Sequence, residues 1–90
     1  MQFTKNQIAI LDILQVKRGR TFADLRVKVN LALGAQLTLE AMAPELWALE
    51  KKKLVGIKLN KYHMPLYQLT SLGNKTKVKL KKSDRSQGTG

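Results

Sequence analysis

The stretch LVGIKLNKYHMPLYQLTSLG, residues 54–73, decides the fold. Val55, Ile57 and Leu59 alternate with Gly56, Lys58 and Asn60, and Tyr67 and Leu69 alternate with Gln68 and Thr70. A side-chain period of two belongs to a strand, whose successive residues point to opposite faces. Between the runs lies Lys61-Tyr62-His63-Met64-Pro65. Two alternating runs around a short loop predict a β-hairpin. Pro65 lacks an N–H to donate, which suits a strand edge.

Upstream the period is helical. Thr4 reads as an N-cap with Gln7 three residues later, a capping box. Ile8, Leu11 and Leu14 follow on one stripe, widened by Ile10 and Ile13, and Lys17-Arg18-Gly19-Arg20 ends the helix. Thr21 opens a second helix, with Asp24 where a carboxylate suits the unpaired N–H groups. Phe22, Leu25, Val29 and Ala32 mark its buried face, and Gly34 is placed to end it in the left-handed conformation. Thr38 opens a third helix with core positions Leu39, Met42, Leu46 and Leu49. Pro44 lies within that pattern: either one kinked helix runs through it, the preferred reading, or a turn precedes a helix beginning there. Trp47 adjoins the stripe and is expected in the core. If exposed, it would join Ala43 in an apolar patch suited to a protein partner.

Three helices followed by a hairpin give an α+β fold, the winged helix-turn-helix, in which the hairpin is the wing. The segment from Leu46 to Gly73 resembles the winged-helix regulators of the PadR, MarR and ArsR type. Those families end the recognition helix in L-x-x-L, enter the wing through an L-V pair and leave it through Y-x-L-T-x-x-G. The matching residues are Leu46, Leu49, Leu54, Val55, Tyr67, Leu69, Thr70 and Gly73. The resemblance implies a DNA-binding domain of a small prokaryotic or viral transcription regulator. Two positions depart from it. Lys53 stands where the family has glycine after the helix, so a retained left-handed conformation there costs about 1 kcal/mol. The helices through which PadR- and MarR-like proteins dimerise have no counterpart, so that dimer is not carried over.

Downstream, Ser71–Leu80 fits a short helix, or a third strand through Thr76, Val78 and Leu80. Residues 81–90, KKSDRSQGTG, have little to bury and read as a disordered tail, leaving one domain over 1–80.

Charge narrows the partner. The chain has 90 residues and a formal net charge of +11. From Lys51 to Lys82 there are ten lysines and no Asp or Glu, whereas residues 1–50 hold six basic and five acidic groups. A neutral part joined to a strongly cationic one suits a polyanion, and the fold makes that polyanion double-stranded DNA. Other classes lack their residues. There is no cysteine and one histidine, so neither a disulfide nor a zinc site is expected. No nucleophile–base pair and no glycine-rich phosphate loop stand out, so no enzyme and no cofactor or small-molecule ligand is expected. No apolar run is long enough for a membrane span. The expected location is the cytoplasm, on the nucleoid.

The candidate contacts form three groups. On the third helix they are Thr38, Glu40, Ala41, Lys51 and Lys52, with Glu40 placed to accept from a cytosine amine and Ala41 to touch a thymine methyl. Glu40 equally suits the helix N-terminus for its charge alone. Lys58, Asn60, Lys61, Tyr62 and His63 form a basic wing with an aromatic tip, suited to phosphates and a minor groove. Lys17, Arg18 and Arg20 between the first helices, and Lys75 and Lys77 after the wing, are candidate phosphate contacts. The third helix offers few base readers, so specificity is expected to be modest for a monomer and greater for a homodimer on repeated half-sites. Two other readings stay open. One is a protein-docking module using the apolar outer face of the third helix, and the other an RNA or single-strand binder stacking a base on Tyr62.

Overall fold

A computed structural model describes residues 3–89, with side chains described for residues 3–81. Three helices come first: α1 (Lys5–Ile13), α2 (Phe22–Leu33) and α3 (Leu39–Lys51). The hairpin follows as β1 (Val55–Leu59) and β2 (Pro65–Leu69), and α4 (Ser71–Thr89) closes the order. Each of the first three helices begins behind a threonine whose Oγ1 accepts an orphan N–H. Thr4 accepts from Gln7, Thr21 from Asp24 and Thr38 from Ala41, each at 3.1 Å. Gln7 Oε1 accepts the Thr4 N–H in return, completing the capping box. Gly34 ends α2 at φ 61°. α3 runs through Pro44 as one helix, so the alternative of a turn before a helix beginning there falls away.

The core lies where the three helices meet the base of the hairpin. α1 supplies Ile10, Leu11 and Leu14, α2 supplies Leu25 and Val29, and α3 supplies Met42, Leu46 and Leu49. Leu54, Val55 and Leu69 close it from the wing side. Several apolar residues assigned to the core lie elsewhere. Ile8, Ala32 and Leu39 are exposed at the margins of their stripes. Trp47 is 58% exposed, contrary to expectation. It lies five residues beyond buried Met42, and at about 100° per residue that turns it roughly 140° from the core direction. Ile57 and Leu59 are also exposed, because the outer half of the wing projects beyond the helices.

The strands pair antiparallel in the register Val55↔Leu69, Ile57↔Tyr67 and Leu59↔Pro65. A third element joins them that the sequence did not announce. Arg20 and Tyr67 exchange both backbone hydrogen bonds, at 2.9 and 2.7 Å, so the segment before α2 lies along β2. Gln15 C=O accepts from Leu69 N–H at 3.0 Å and extends that seam.

Tyr67 holds the Arg20 bridge and meets Phe22 edge to face, with ring centroids 5.9 Å apart. Leu69 is core. Thr70 Oγ1 accepts from Gly73 N–H at 2.9 Å, capping α4, and donates to Lys53 C=O at 2.6 Å. Gly73 lets the first turn of α4 lie on the Leu54 carbonyl, which a Cβ would meet at 2.0 Å.

Lys53 keeps the left-handed conformation, at φ 65°. Its N–H reaches Glu50 C=O and the Leu54 N–H reaches Leu49 C=O, the Schellman arrangement that glycine usually supports. Ser71–Leu80 is helical, which resolves the alternative of a third strand. The helix continues to Thr89, and the side chains of the segment expected as a tail fall almost wholly outside those described. Among the described residues no helix is long and apolar enough to cross a membrane.

Candidate nucleic-acid interface

α3 is anchored at its start and at its middle. Asn30 from α2 brackets the turn before it, accepting Leu37 N–H at 2.9 Å and donating to Leu37 C=O at 3.1 Å. Glu45 ties its middle to the α1 cap, accepting from Thr4 Oγ1 at 2.5 Å and Gln7 Nε2 at 3.3 Å. These bonds fix the helix about its own axis and so determine what it presents outward. Glu40, Ala41, Ala43, Pro44, Trp47 and Lys51 are exposed. Thr38 is also exposed, and its Oγ1 uses a lone pair on Ala41 N–H, leaving the hydroxyl proton able to donate to phosphate. Lys51 Nζ lies 4.1 Å from the centroid of the Trp47 ring, a cation–π contact covering one face of the indole. Lys52 turns the other way, 4.9 Å over the Phe3 ring, and is half-buried.

The wing tip is built on Asn60. Its Oδ1 accepts from Tyr62 N–H at 2.8 Å and from Met64 N–H at 3.0 Å, and its backbone N–H donates to Met64 C=O at 3.0 Å. This loop puts His63 at φ 63°, a left-handed conformation that a non-glycine residue takes at a cost. Asn60 thus shapes the tip, and Lys58, Lys61, Tyr62 and His63 are exposed around it, with Leu59 and Met64 beside them. Lys61 Nζ lies 5.1 Å from the Tyr62 ring centroid, and Tyr62 is 70% exposed.

The remaining cations divide. Lys17, Arg18 and Lys75 are exposed. The Arg20 guanidinium pairs with Asp24 at 2.8 Å and its side chain is only 12% exposed, so it braces the start of α2. Lys77 Nζ donates to Leu14 C=O at 2.9 Å, capping the end of α1 from α4. Burial lowers its pKa, Lys81 adds to that effect, and Asp12 opposes it. Lys81 in turn pairs with Asp12 at 3.3 Å. Lys77 and Lys81 lie four and eight residues after Gly73, on the face of α4 that meets α1. That phase was the sequence signal separating them from Lys75.

Two further groups show how this part of the fold holds charge. Glu50, in the last turn of α3, has Oε1 buried without a hydrogen-bond partner, and burial raises its pKa. Tyr67 is raised as well, first by burial and then by the Glu50 charge. Among the described residues no group of three His, Cys, Asp or Glu is placed to hold a metal ion.

Comparison with solved structures identifies the arrangement as a winged helix. RosR of H. salinarum matches with a TM-score of 0.82 at 24% identity, covering 96% of this chain and 77% of that one. MepR, a transcription regulator of the Staphylococcus aureus multidrug efflux pump MepA, matches with a TM-score of 0.76 at 24% identity over 98% of this chain. The chain spans 63% of MepR, so part of that protein has no counterpart in it. F-93 of SSV1 matches with a TM-score of 0.73 at 18% identity, covering 99% of this chain and 96% of that one. No protein-family profile and no curated protein sequence matches the chain. At these identities the likeness establishes the fold.

Proposed function

We propose that this protein binds double-stranded DNA as a small transcription regulator, with α3 against the major groove and the wing along the phosphates. The observation that carries the reading is the wing joined to α3. Lys58, Lys61, Tyr62 and His63 are exposed around a tip shaped from within, directly after a helix whose outer face is free. The structural neighbour MepR is a transcription regulator, which supports the same role here. Of the candidate contacts, Lys17, Arg18, Lys51, Lys58, Lys61 and Lys75 are exposed to phosphate, whereas Arg20, Lys52 and Lys77 are engaged within the fold. A homodimer would double the contacts and read repeated half-sites. The place of action is the cytoplasm, on chromosomal or viral DNA.

Neutralising six phosphates gives log K against log salt a slope of about −5. Replacing Lys58 and Lys61 together by alanine should lower affinity for every sequence and reduce that slope by about 2. An unchanged slope would remove the wing from the contact surface. A second reading follows from the exposed Trp47 beside Ala43 and Pro44: this face of α3 docks a protein. A partner that competes with duplex for the protein would favour it.

A further inference from the structure

The outer face of α3 is unusual for a helix that meets base edges. Its sequence, Leu39 to Lys51, contains no Arg, Asn or Gln to pair with guanine or adenine, and its one lysine, Lys51, stands at the C-terminal end over the Trp47 ring. Glu40, Pro44, Trp47 and Lys51 lie along one line of the helix at helical spacing, with Leu39 and Ala43 beside them, and all six are exposed. Between an acceptor at one end and a cation at the other, the face is therefore apolar. A bare apolar face on a cationic domain has one complementary feature in a major groove. The thymine C5-methyl is the apolar group that the base edges present there.

We propose that α3 reads thymine methyl groups, with Trp47 as the principal specificity-determining contact and Ala43 and Pro44 beside it. The inference rests on the duplex-binding reading above and goes further by naming what the helix recognises. Charge complementarity supports nucleic acid as the occupant. Lys51 borders the patch on α3 itself, and Lys58 and Lys61 follow on the wing. Lys51 lies over one face of the indole, so Trp47 and a phosphate-binding cation are presented together. Glu40, one helical turn before Pro44, is placed to accept from an exocyclic amine of a neighbouring base.

Trp47 is the only tryptophan in the chain, so its emission reports on this face alone. The test uses three duplexes of equal length at low salt: alternating dA-dT, alternating dA-dU, which differs only in lacking the methyl groups, and alternating dG-dC. Removing each contacted methyl should weaken binding about 4-fold, from the free energy of burying one such carbon. The dA-dT duplex should bind best and change the Trp47 emission most. Trp47→Ala and Trp47→Phe, each checked for unchanged thermal unfolding, separate recognition from folding. The alanine variant should lose most of the difference between dA-dT and dA-dU, and the phenylalanine variant should retain more of it. Equal binding of dA-dT and dA-dU by the unaltered protein, with affinity falling with salt, would overturn methyl reading and leave the duplex reading standing. Absence of binding to all three duplexes would overturn both. Duplex binding that leaves Trp47 emission unchanged would overturn the proposal in favour of a protein-docking face.

Discussion

Gly73→Ala tests the joint between the wing and α4. A Cβ at this position would stand 2.0 Å from the Leu54 carbonyl oxygen, 2.9 Å from its carbon and 3.1 Å from Leu69 Cδ2. An ordinary carbon–oxygen contact needs about 3.3 Å, so the start of α4 must withdraw by roughly 1.3 Å. The obstacle is backbone, and no rotamer change relieves it. Three hydrogen bonds cross the same joint: Thr70 N–H to Leu54 C=O, Thr70 Oγ1 to Lys53 C=O, and Gly73 N–H to Thr70 Oγ1. Losing two of them costs about 1 kcal/mol each, and overpacking adds about 1–3 kcal/mol. The expected loss is about 3–5 kcal/mol, a large part of the stability of a domain this size. At about 4–8 °C per kcal/mol, Tm should fall by at least about 12 °C. Thermal and urea unfolding followed by far-ultraviolet circular dichroism measure this. Gly34→Ala is the control, because a Cβ there meets nothing within 4 Å and only the left-handed backbone at φ 61° is penalised, by about 1 kcal/mol. A Gly73→Ala variant losing less than 1 kcal/mol would refute the placement of α4 on the Leu54 carbonyl.

Three further outcomes follow from the same geometry. Lys53→Gly removes a side chain from a left-handed position and should stabilise the domain by about 0.5–1 kcal/mol, read as a rise in Tm. Glu50→Gln should stabilise the protein at pH 7 by about 0.5 kcal/mol, since a carboxylate near a helix C-terminus opposes the dipole. Because burial raises the Glu50 pKa, folding favours its protonated form. The advantage of glutamine should therefore disappear as pH falls below the ordinary value of 4.5, and paired denaturation curves at pH 7 and pH 4 check it. Lys77→Ala should cost about 1 kcal/mol by uncapping Leu14 C=O and leave the salt slope of DNA binding unchanged, whereas Lys75→Ala should do the reverse.

What was legible in the sequence was mostly local. The threonine caps, the two strands of the hairpin and the strained Lys53 each depend on residues a few positions apart, and spacing carries such information. The bridge between Arg20 and Tyr67 was not legible, because a single non-local backbone pair leaves no periodic trace. It also changes the meaning of Arg20, whose basic loop suggested phosphate while its side chain serves the fold. Lys77 was concealed by its surroundings, since a run of alternating lysines resembles a solvated arm until the helix is formed and its phase sends two of them to α1. Trp47 shows the opposite weighting. Its hydrophobicity argued for the core, yet its angular position relative to Met42, Leu46 and Leu49 already turned it outward. Phase was the stronger constraint because all three of those side chains were already committed to one side.

The most direct test of DNA binding by α3 and the wing is an amide chemical-shift titration of the labelled protein with a generic duplex, at low and then at higher salt. Shifts gathering on residues 38–47 and 57–64, and fading as salt rises, are the predicted result. Shifts confined to residues 75–89 would contradict it, since the folded face would then take no part and only the charged end of the chain would meet DNA.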